Sequence, residues 1–370
     1  MIAFAMNTTF EQAKAFFLSG LAHHEAGRME AAERDFSASL SLVPGRPSTL
    51  TNLGATLLQL GRADEALVLL EEALDQEPGN PEALGHAATA LAELGRRADA
   101  LAMADRAVQA DPQAAAVWSL RGTLLREAGR AADATASWRE ALRAGAPPEL
   151  IRYYLAALGE EEAPVAPPRL YVQQLFDSYA EGFDRHLMQV LQYRAPERLV
   201  KGLQGRHFDA VLDLGCGTGL CGPLLRPLAG RLEGVDLSAN MVAQAGATGV
   251  YDSVEQDDAA DFLQRAQQRW DAIVAADVFI YVGALEGVFA GAARALRPKG
   301  VFCFSVEDVA DVDAPRGYVL RESLRYAHSM GYIRMLAEQH GFSVTAHERQ
   351  PLRQDQGKPV PGLFAWLSRS

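Results

Sequence analysis

The chain of 370 residues is 49% hydrophobic and 22% charged, with a formal net charge of −12, so it can bury a sizeable core and has no basic excess to suit nucleic acid. Its three cysteines, Cys216, Cys221 and Cys303, are too few and scattered for a disulfide framework, and without CxxC pairs and partner histidines they build no zinc site. The start, MIAFAMNTTF, has no basic region before an apolar core, and no apolar run reaches about 18 residues; the expectation is a soluble, cytoplasmic protein with no membrane, nucleic-acid or metal partner.

The first half repeats itself every 34 residues. Gly-Arg pairs stand at Gly27-Arg28, Gly61-Arg62, Gly95-Arg96 and Gly129-Arg130. In the same phase come alanines at 32, 66, 100 and 134, small residues at Gly20, Gly54, Ala88 and Gly122, and prolines at 44, 78 and 112. In the fourth cycle Pro147 falls one residue late. A glycine after about fourteen helical residues supplies the left-handed turn between two antiparallel helices, and proline ends one pair and begins the next. Small residues let paired helices approach, while Phe16, Leu50, Leu84, Trp118, Phe36, Leu70 and Trp138 are expected to fill the space between them.

This period resembles the tetratricopeptide repeat, a helical-repeat solenoid. The resemblance implies four repeats and a capping helix over residues 10–158, the cap being Pro147 to Gly159. Ser19 and Arg121 depart from the family's apolar preference, so the first and last repeats are expected to pack loosely. The family implies a partner-binding groove, here lined by Phe17, Leu21, Thr51, Leu58, Thr89, Ser119 and Arg126. Its basic clamp for a peptide carboxylate is missing, since Phe17 and Leu21 stand where Lys and Asn belong. Residues 159–168, charged and then proline-rich, read as a linker.

After the linker, Val172, Leu175, Phe176, Tyr179 and Phe183 fall on one helical face. Then an apolar strand from Ala210 runs into Gly215, Gly217 and Gly219, where bare backbone can pass close to a ligand at a helix N-terminus. A dinucleotide site needs its third glycine one place later. A second strand ends in Asp236, a third leads to Gln256-Asp257-Asp258-Ala259, and a fourth runs into Ala276-Asp277-Val278. A fifth, VFCFSVE, ends at Glu307. The segment from Asp308 to His340 reads as an insertion shaping a pocket. FSVTAHERQ and LFAWLSR close the sheet as an antiparallel hairpin around the turn-rich QGKPVPG.

GxGxG, preceded by Asp213 and followed by acids at successive strand ends, resembles the first motifs of class I methyltransferases. Residues 169–370 are similar to bacterial proteins that carry this domain behind tetratricopeptide repeats. The fold implied is α + α/β, a helical-repeat solenoid followed by a Rossmann-like domain with a seven-stranded mixed sheet. The resemblance implies S-adenosylmethionine as cofactor, touched by Asp213, Gly215, Cys216, Gly217, Gly219, Asp236, Leu237, Met241, Asp258, Ala259 and Ala276. Asp236 takes the ribose hydroxyls, Met241 covers the adenine, and Asp258 (or Asp257) accepts from its amino group. Tyr179 and Tyr171, in a string resembling the lid of small-molecule methyltransferases, are implied at the carboxylate or the sulfonium.

A methyl acceptor that must lose a proton needs a base, and Glu307 and His328 are the candidates. Tyr281, Arg325 and Tyr332 are the acceptor-side candidates, with His328 expected to share a helix with the last two. No Asn/Asp-Pro-Pro-aromatic motif or Pro-Cys nucleophile is present, which leaves a small molecule or a protein or peptide acceptor, with the repeats docking partner or substrate. Two other readings keep the same motifs: a repeat scaffold whose cofactor domain is vestigial or only senses the cofactor, and a different chemistry on the same cofactor, such as cyclisation.

Overall fold

The computed structural model describes residues 2–179, 193–355 and 357–370, without the side chains of 2–7, 170, 174 and 177–179. It divides into two compact units, Met1–Ile151 and Arg152–Ser370.

The first unit holds helices α1 (Ile2–Glu25), α2 (Met29–Leu42), α3 (Pro47–Gln59), α4 (Ala63–Gln76), α5 (Pro81–Glu93), α6 (Arg97–Ala110), α7 (Ala115–Glu127) and α8 (Ala131–Arg143). The glycine of each repeat turn is left-handed, with φ between 71° and 73° at Gly27, Gly61, Gly95 and Gly129. A Cβ at Gly54 would stand 2.7 Å from Leu70, so this column is small because a large residue of the paired helix lies on it. Phe36, Leu70 and Trp138 are fully buried. Phe16 differs from expectation: it is 40% exposed. Arg121 is tied in rather than loose, donating to Asp105 at 2.6 Å and to Ser137 at 2.5 Å.

Helix α9 (Pro148–Ala157) crosses the division, its residues from Arg152 grouping with the second unit. There Tyr153 is 1% exposed and its hydroxyl donates to the Leu324 carbonyl at 2.7 Å. Helix α10 (Arg169–Tyr179) follows.

The second unit is built on one mixed sheet of nine strands. β1 (Phe208–Leu214), β2 (Ala229–Asp236), β3 (Ser253–Gln256), β4 (Trp270–Ala275) and the long β5 (Leu296–Val309) lie parallel in the order β3-β2-β1-β4-β5. The central strands are buried nearly throughout, as apolar runs with both faces covered must be. Two short strands, β6 (Tyr318–Leu320) and β7 (Tyr326–Ser329), come from the insertion, and β8 (Phe342–Asp355) and β9 (Lys358–Arg369) form the final hairpin. β9 runs antiparallel along β5 from Val301 to Glu307, and β8 pairs with β9. The expected seven strands are therefore present, and β6 and β7 are additional.

The added pair takes a defined place. β4 ends opposite Phe304, whereas Glu307 pairs with Gly362 of β9 on one edge and Ala327 of β7 on the other. β7 thus occupies the edge that β4 vacates, at the carboxyl end of the sheet. His328 is consequently on a strand and not on a helix with Arg325 and Tyr332. The following helix starts at Met330, where Ser329 caps it by accepting from the Tyr332 N–H at 3.2 Å.

The final turn is also tighter than its prolines suggested. The β8–β9 ladder continues past Pro359↔Gln354 to Asp355↔Lys358, with a bulge between Pro351 and Arg353. A bulge re-aims the side chains after it, and here successive residues Leu352 and Arg353 are both buried, at 1% and 3%. No helix among the described residues is long and apolar enough to cross a membrane.

Candidate active site

A cavity of about 620 Å³ opens at the carboxyl ends of β1, β2 and β4, where open parallel sheets take ligands. Its floor is the loop after β1. Gly215 and Gly217 have φ of 69° and 54°, a conformation glycine adopts without penalty. Both Gly215 and Cys216 donate their backbone N–H to the Val235 carbonyl, at 2.8 and 2.9 Å. A Cβ at Gly215 would stand 2.5 Å from Val278, whereas one at Gly217 would meet nothing within 4 Å. The first glycine packs the loop against the end of β4, and the second leaves backbone bare toward the cavity.

Asp236 ends β2 and meets that loop. One carboxylate oxygen accepts from the Gly217 N–H at 2.8 Å and the other from the Ser238 N–H at 3.0 Å. Leu237 beside it lines the cavity, as do Cys216, Asp257, Asp258, Ala259 and Ala276. Asp258 caps the short helix Ala259–Arg265, one oxygen accepting from Ala260 at 2.9 Å and Asp261 at 3.1 Å. Its other oxygen lies 3.7 Å from Arg169.

Three expected contacts stand off the wall. Met241 is fully buried in the helix that Ser238 caps, and Leu237 supplies the apolar surface there instead. Gly219 (φ 96°) lies against Tyr251 and Ala245, the Tyr251 ring coming within 3.1 Å of a Cβ built there. Asp213 is 1% exposed and accepts from the Tyr251 hydroxyl at 2.6 Å. Burial pushes its carboxyl up to about 7, only partly opposed by that hydrogen bond. Asp213 and Gly219 thus shape the loop from beneath.

Helix α10 lines another side with Val172, Leu175 and Phe176, whose ring meets Tyr281 edge-on at 5.1 Å. Tyr171 turns elsewhere, its ring 5.5 Å from that of Tyr153, because the tyrosines around Tyr153 offer it burial. The Tyr179 side chain lies outside the described residues.

Beyond β4 the wall carries Asp277, Tyr281, Arg325, Arg353 and Asp355. Asp277 has φ of 62°, uncommon for a residue with a Cβ, and its N–H donates to Ser305 at 2.9 Å. Arg353 donates to Asp277 at 2.7 Å and also pairs with Glu307. Glu307 accepts from Arg321 at 3.0 Å as well and is 2% exposed. Burial works against the Arg325 charge, but Tyr281, Asp277 and Glu307 more than offset it and raise its affinity for the proton.

The two candidate bases do not stand on this wall. Glu307 is committed to two guanidinium groups. His328 is fully buried with Nε2 donating to the Gly283 carbonyl at 2.9 Å, and burial lowers its pKa to about 4. Tyr332, expected beside the acceptor, instead donates to Glu286 and accepts from the Leu285 N–H, each at 2.8 Å. Arg353 and Asp355 were not legible as site residues, since only the bulge in β8 brings Arg353 inward. No group of three or more potential metal ligands occurs among the described residues.

Residues 176–355 match the family model of a methyltransferase domain and residues 57–124 that of the tetratricopeptide repeat. Malonyl-(acyl-carrier protein) O-methyltransferase of Enterobacter lignolyticus (strain SCF1) is 30% identical over 115 residues, 31% of this chain and 45% of that protein. Sterol 24-C-methyltransferase of Gibberella zeae is 26% identical over 184 residues, 45% of this chain and 44% of that protein. The chain thus spans less than half the length of these curated relatives. Among solved structures, the N-methyltransferase NodS from Bradyrhizobium japonicum WM9, in complex with S-adenosyl-L-homocysteine, is 19% identical at a TM-score of 0.42, covering 53% of this chain and 97% of that one.

Proposed function

We propose that the methyltransferase domain of this chain, preceded by its tetratricopeptide repeats, moves a methyl group from S-adenosylmethionine to a small molecule or to a protein or peptide. The observation that carries the reading is the meeting of the bare Gly217 backbone and the Asp236 carboxylate, 2.8 Å apart, on one cavity. The Asp236 carboxylate, held by the Gly217 and Ser238 N–H groups on the cavity wall, suits the two vicinal hydroxyls of a ribose. Leu237 and Ala259 suit the adenine faces, and Asp257 or Asp258 suits its amino group.

S-adenosylmethionine supplies a methyl group already activated as part of a sulfonium. What the chain must add is orientation of the acceptor and exclusion of water. Val172, Leu175 and Phe176 close one side with apolar surface, and the wall from Asp277 to Tyr281 is where the acceptor lies. The left-handed backbone of Asp277, held by Ser305 and Arg353, fixes that wall. The repeats dock the acceptor or a partner, with the face that carries the partly exposed Thr89, Ser119 and Arg126 as the docking face; Thr51 and Leu58, expected on it, are buried at 2% and 8% exposure.

Calorimetry with S-adenosylhomocysteine tests the reading on the full chain. Binding by the wild type that is lost in Asp236→Ala is expected. No binding by the wild type removes the transferase reading, and equal affinity in the variant removes the ribose assignment. For the repeats, transfer to the acceptor is compared between the full chain and one beginning at Arg152. Equal turnover by both removes the docking role.

A further inference from the structure

Three guanidinium groups and three carboxylates meet beyond the end of β4, and they are not equally held. Arg353 is bound to Asp277 and Glu307, with side-chain exposures of 2%, 12% and 2%. Arg321 donates to Glu307 at 3.0 Å and to the Asp308 carbonyl at 2.7 Å. Arg325 stands on the cavity wall, a quarter exposed, and its ion-pair partner among the described residues is Asp355 at 3.4 Å. Asp355 is 43% exposed. It also lines a second, more open cavity of about 820 Å³ on its other side, so it can turn into water at little cost. Tyr281 lines the same cavity as Arg325.

We infer that Arg325 anchors a carboxylate on the methyl acceptor, which takes the place of Asp355. The assignment rests on the transferase reading only for the word acceptor; the anion site stands on its own geometry. A guanidinium presents paired donors matched to a carboxylate. Exchange of one carboxylate for another preserves the balance of three positive against three negative groups. A phosphate dianion would add charge beside Asp277 and Glu307, which cannot leave. Phe176, Ile280 and Val282 line the same cavity, so the body of the acceptor is apolar. The carboxylate is the handle by which the acceptor is oriented.

Butyrate and its uncharged amide, butyramide, are the probes, titrated by ligand-observed NMR into the full chain with and without S-adenosylhomocysteine. Butyrate is expected to bind at least about tenfold more tightly than butyramide, and Arg325→Ala to weaken butyrate by about tenfold or more. Asp355→Asn removes the competing carboxylate and is expected to tighten butyrate severalfold. Equal binding of the two probes, insensitivity to Arg325→Ala, or unchanged or weaker binding in Asp355→Asn each overturns the proposal. Tighter binding of inorganic phosphate than of butyrate overturns the carboxylate class. Should Arg325→Ala not fold, the exposed Asp355→Asn carries the test. Unchanged affinity for S-adenosylhomocysteine is expected in both variants, and its loss in Arg325→Ala gives the guanidinium to the cofactor and overturns the acceptor role. Failure of the wild type to bind S-adenosylhomocysteine strikes the transferase reading alone, because butyrate titrated without it still reports the anion site.

Discussion

The Tyr251 hydroxyl donates to Asp213 across 2.6 Å beneath the first glycine loop, and the ring is seated among glycines. Cβ atoms at Gly219, Gly222 and Gly234 would approach it to 3.1, 2.9 and 3.2 Å. Two of the loop's conspicuous residues, Asp213 and Gly219, are therefore explained by a tyrosine 32 residues further along the chain from Gly219.

This pair makes stability depend on pH in a specific direction. The Asp213 pKa is raised in the fold to about 7 from an unfolded value near 3.9, so the folded state binds the proton more tightly. Its contribution is complete below about pH 4 and is lost as pH rises through about 7. Urea midpoints measured between pH 4.5 and 7.5 are expected to fall, and Asp213→Asn to flatten the slope. A steeper slope in the variant would count against the assignment. Tyr251→Phe, which strips a buried carboxyl of its donor, is expected to cost about 1–3 kcal/mol.

Arg353 is the buried hub of the acceptor wall. Arg353→Met leaves Asp277 and Glu307 without its charge, and breaking a buried pair from one side costs about 3–5 kcal/mol. Chemical denaturation measures this directly. A loss below about 1 kcal/mol would mean that water reaches the network.

Two glycine substitutions separate fold from site. Gly61→Ala, at an exposed left-handed turn of the repeats, is expected to cost about 1–2 kcal/mol and leave S-adenosylhomocysteine binding untouched. Gly217→Ala carries similar strain and in addition places a methyl group toward the cavity, so its affinity should fall by about tenfold or more. Equal affinities would show that the ligand does not approach Gly217.

The chain should be cut before Arg152, not at the proline-rich segment. Tyr153 is buried in the second unit and bonds the carbonyl of Leu324, a residue with φ of 64° immediately before Arg325. A chain starting at Pro168 loses that contact. It is expected to melt well below one starting at Arg152, as loss of a buried aromatic side chain costs about 3–5 kcal/mol. Coincident melting curves would refute the role given to Tyr153.

Local order in the sequence determined a great deal. The 34-residue period fixed the repeat turns, because left-handed glycines and helix-contact columns are properties of a chain folding onto its own neighbours. The strand ends at Gly215, Gly217, Asp236, Asp257 and Asp258 were legible for a like reason, since each motif follows directly on an apolar run. What the sequence could not decide are partnerships made by strands far apart in the chain. Met241 turned into the core while Leu237 stayed on the cavity wall, because the helix capped by Ser238 starts between them. His328 went to a strand because β4 ends early and leaves an edge of β5 unpaired. Arg353 entered the site through a bulge whose position depends on pairing with β9. Burial of one face and completion of backbone hydrogen bonds across the sheet settle such choices, and both depend on residues that only the folded sheet brings side by side.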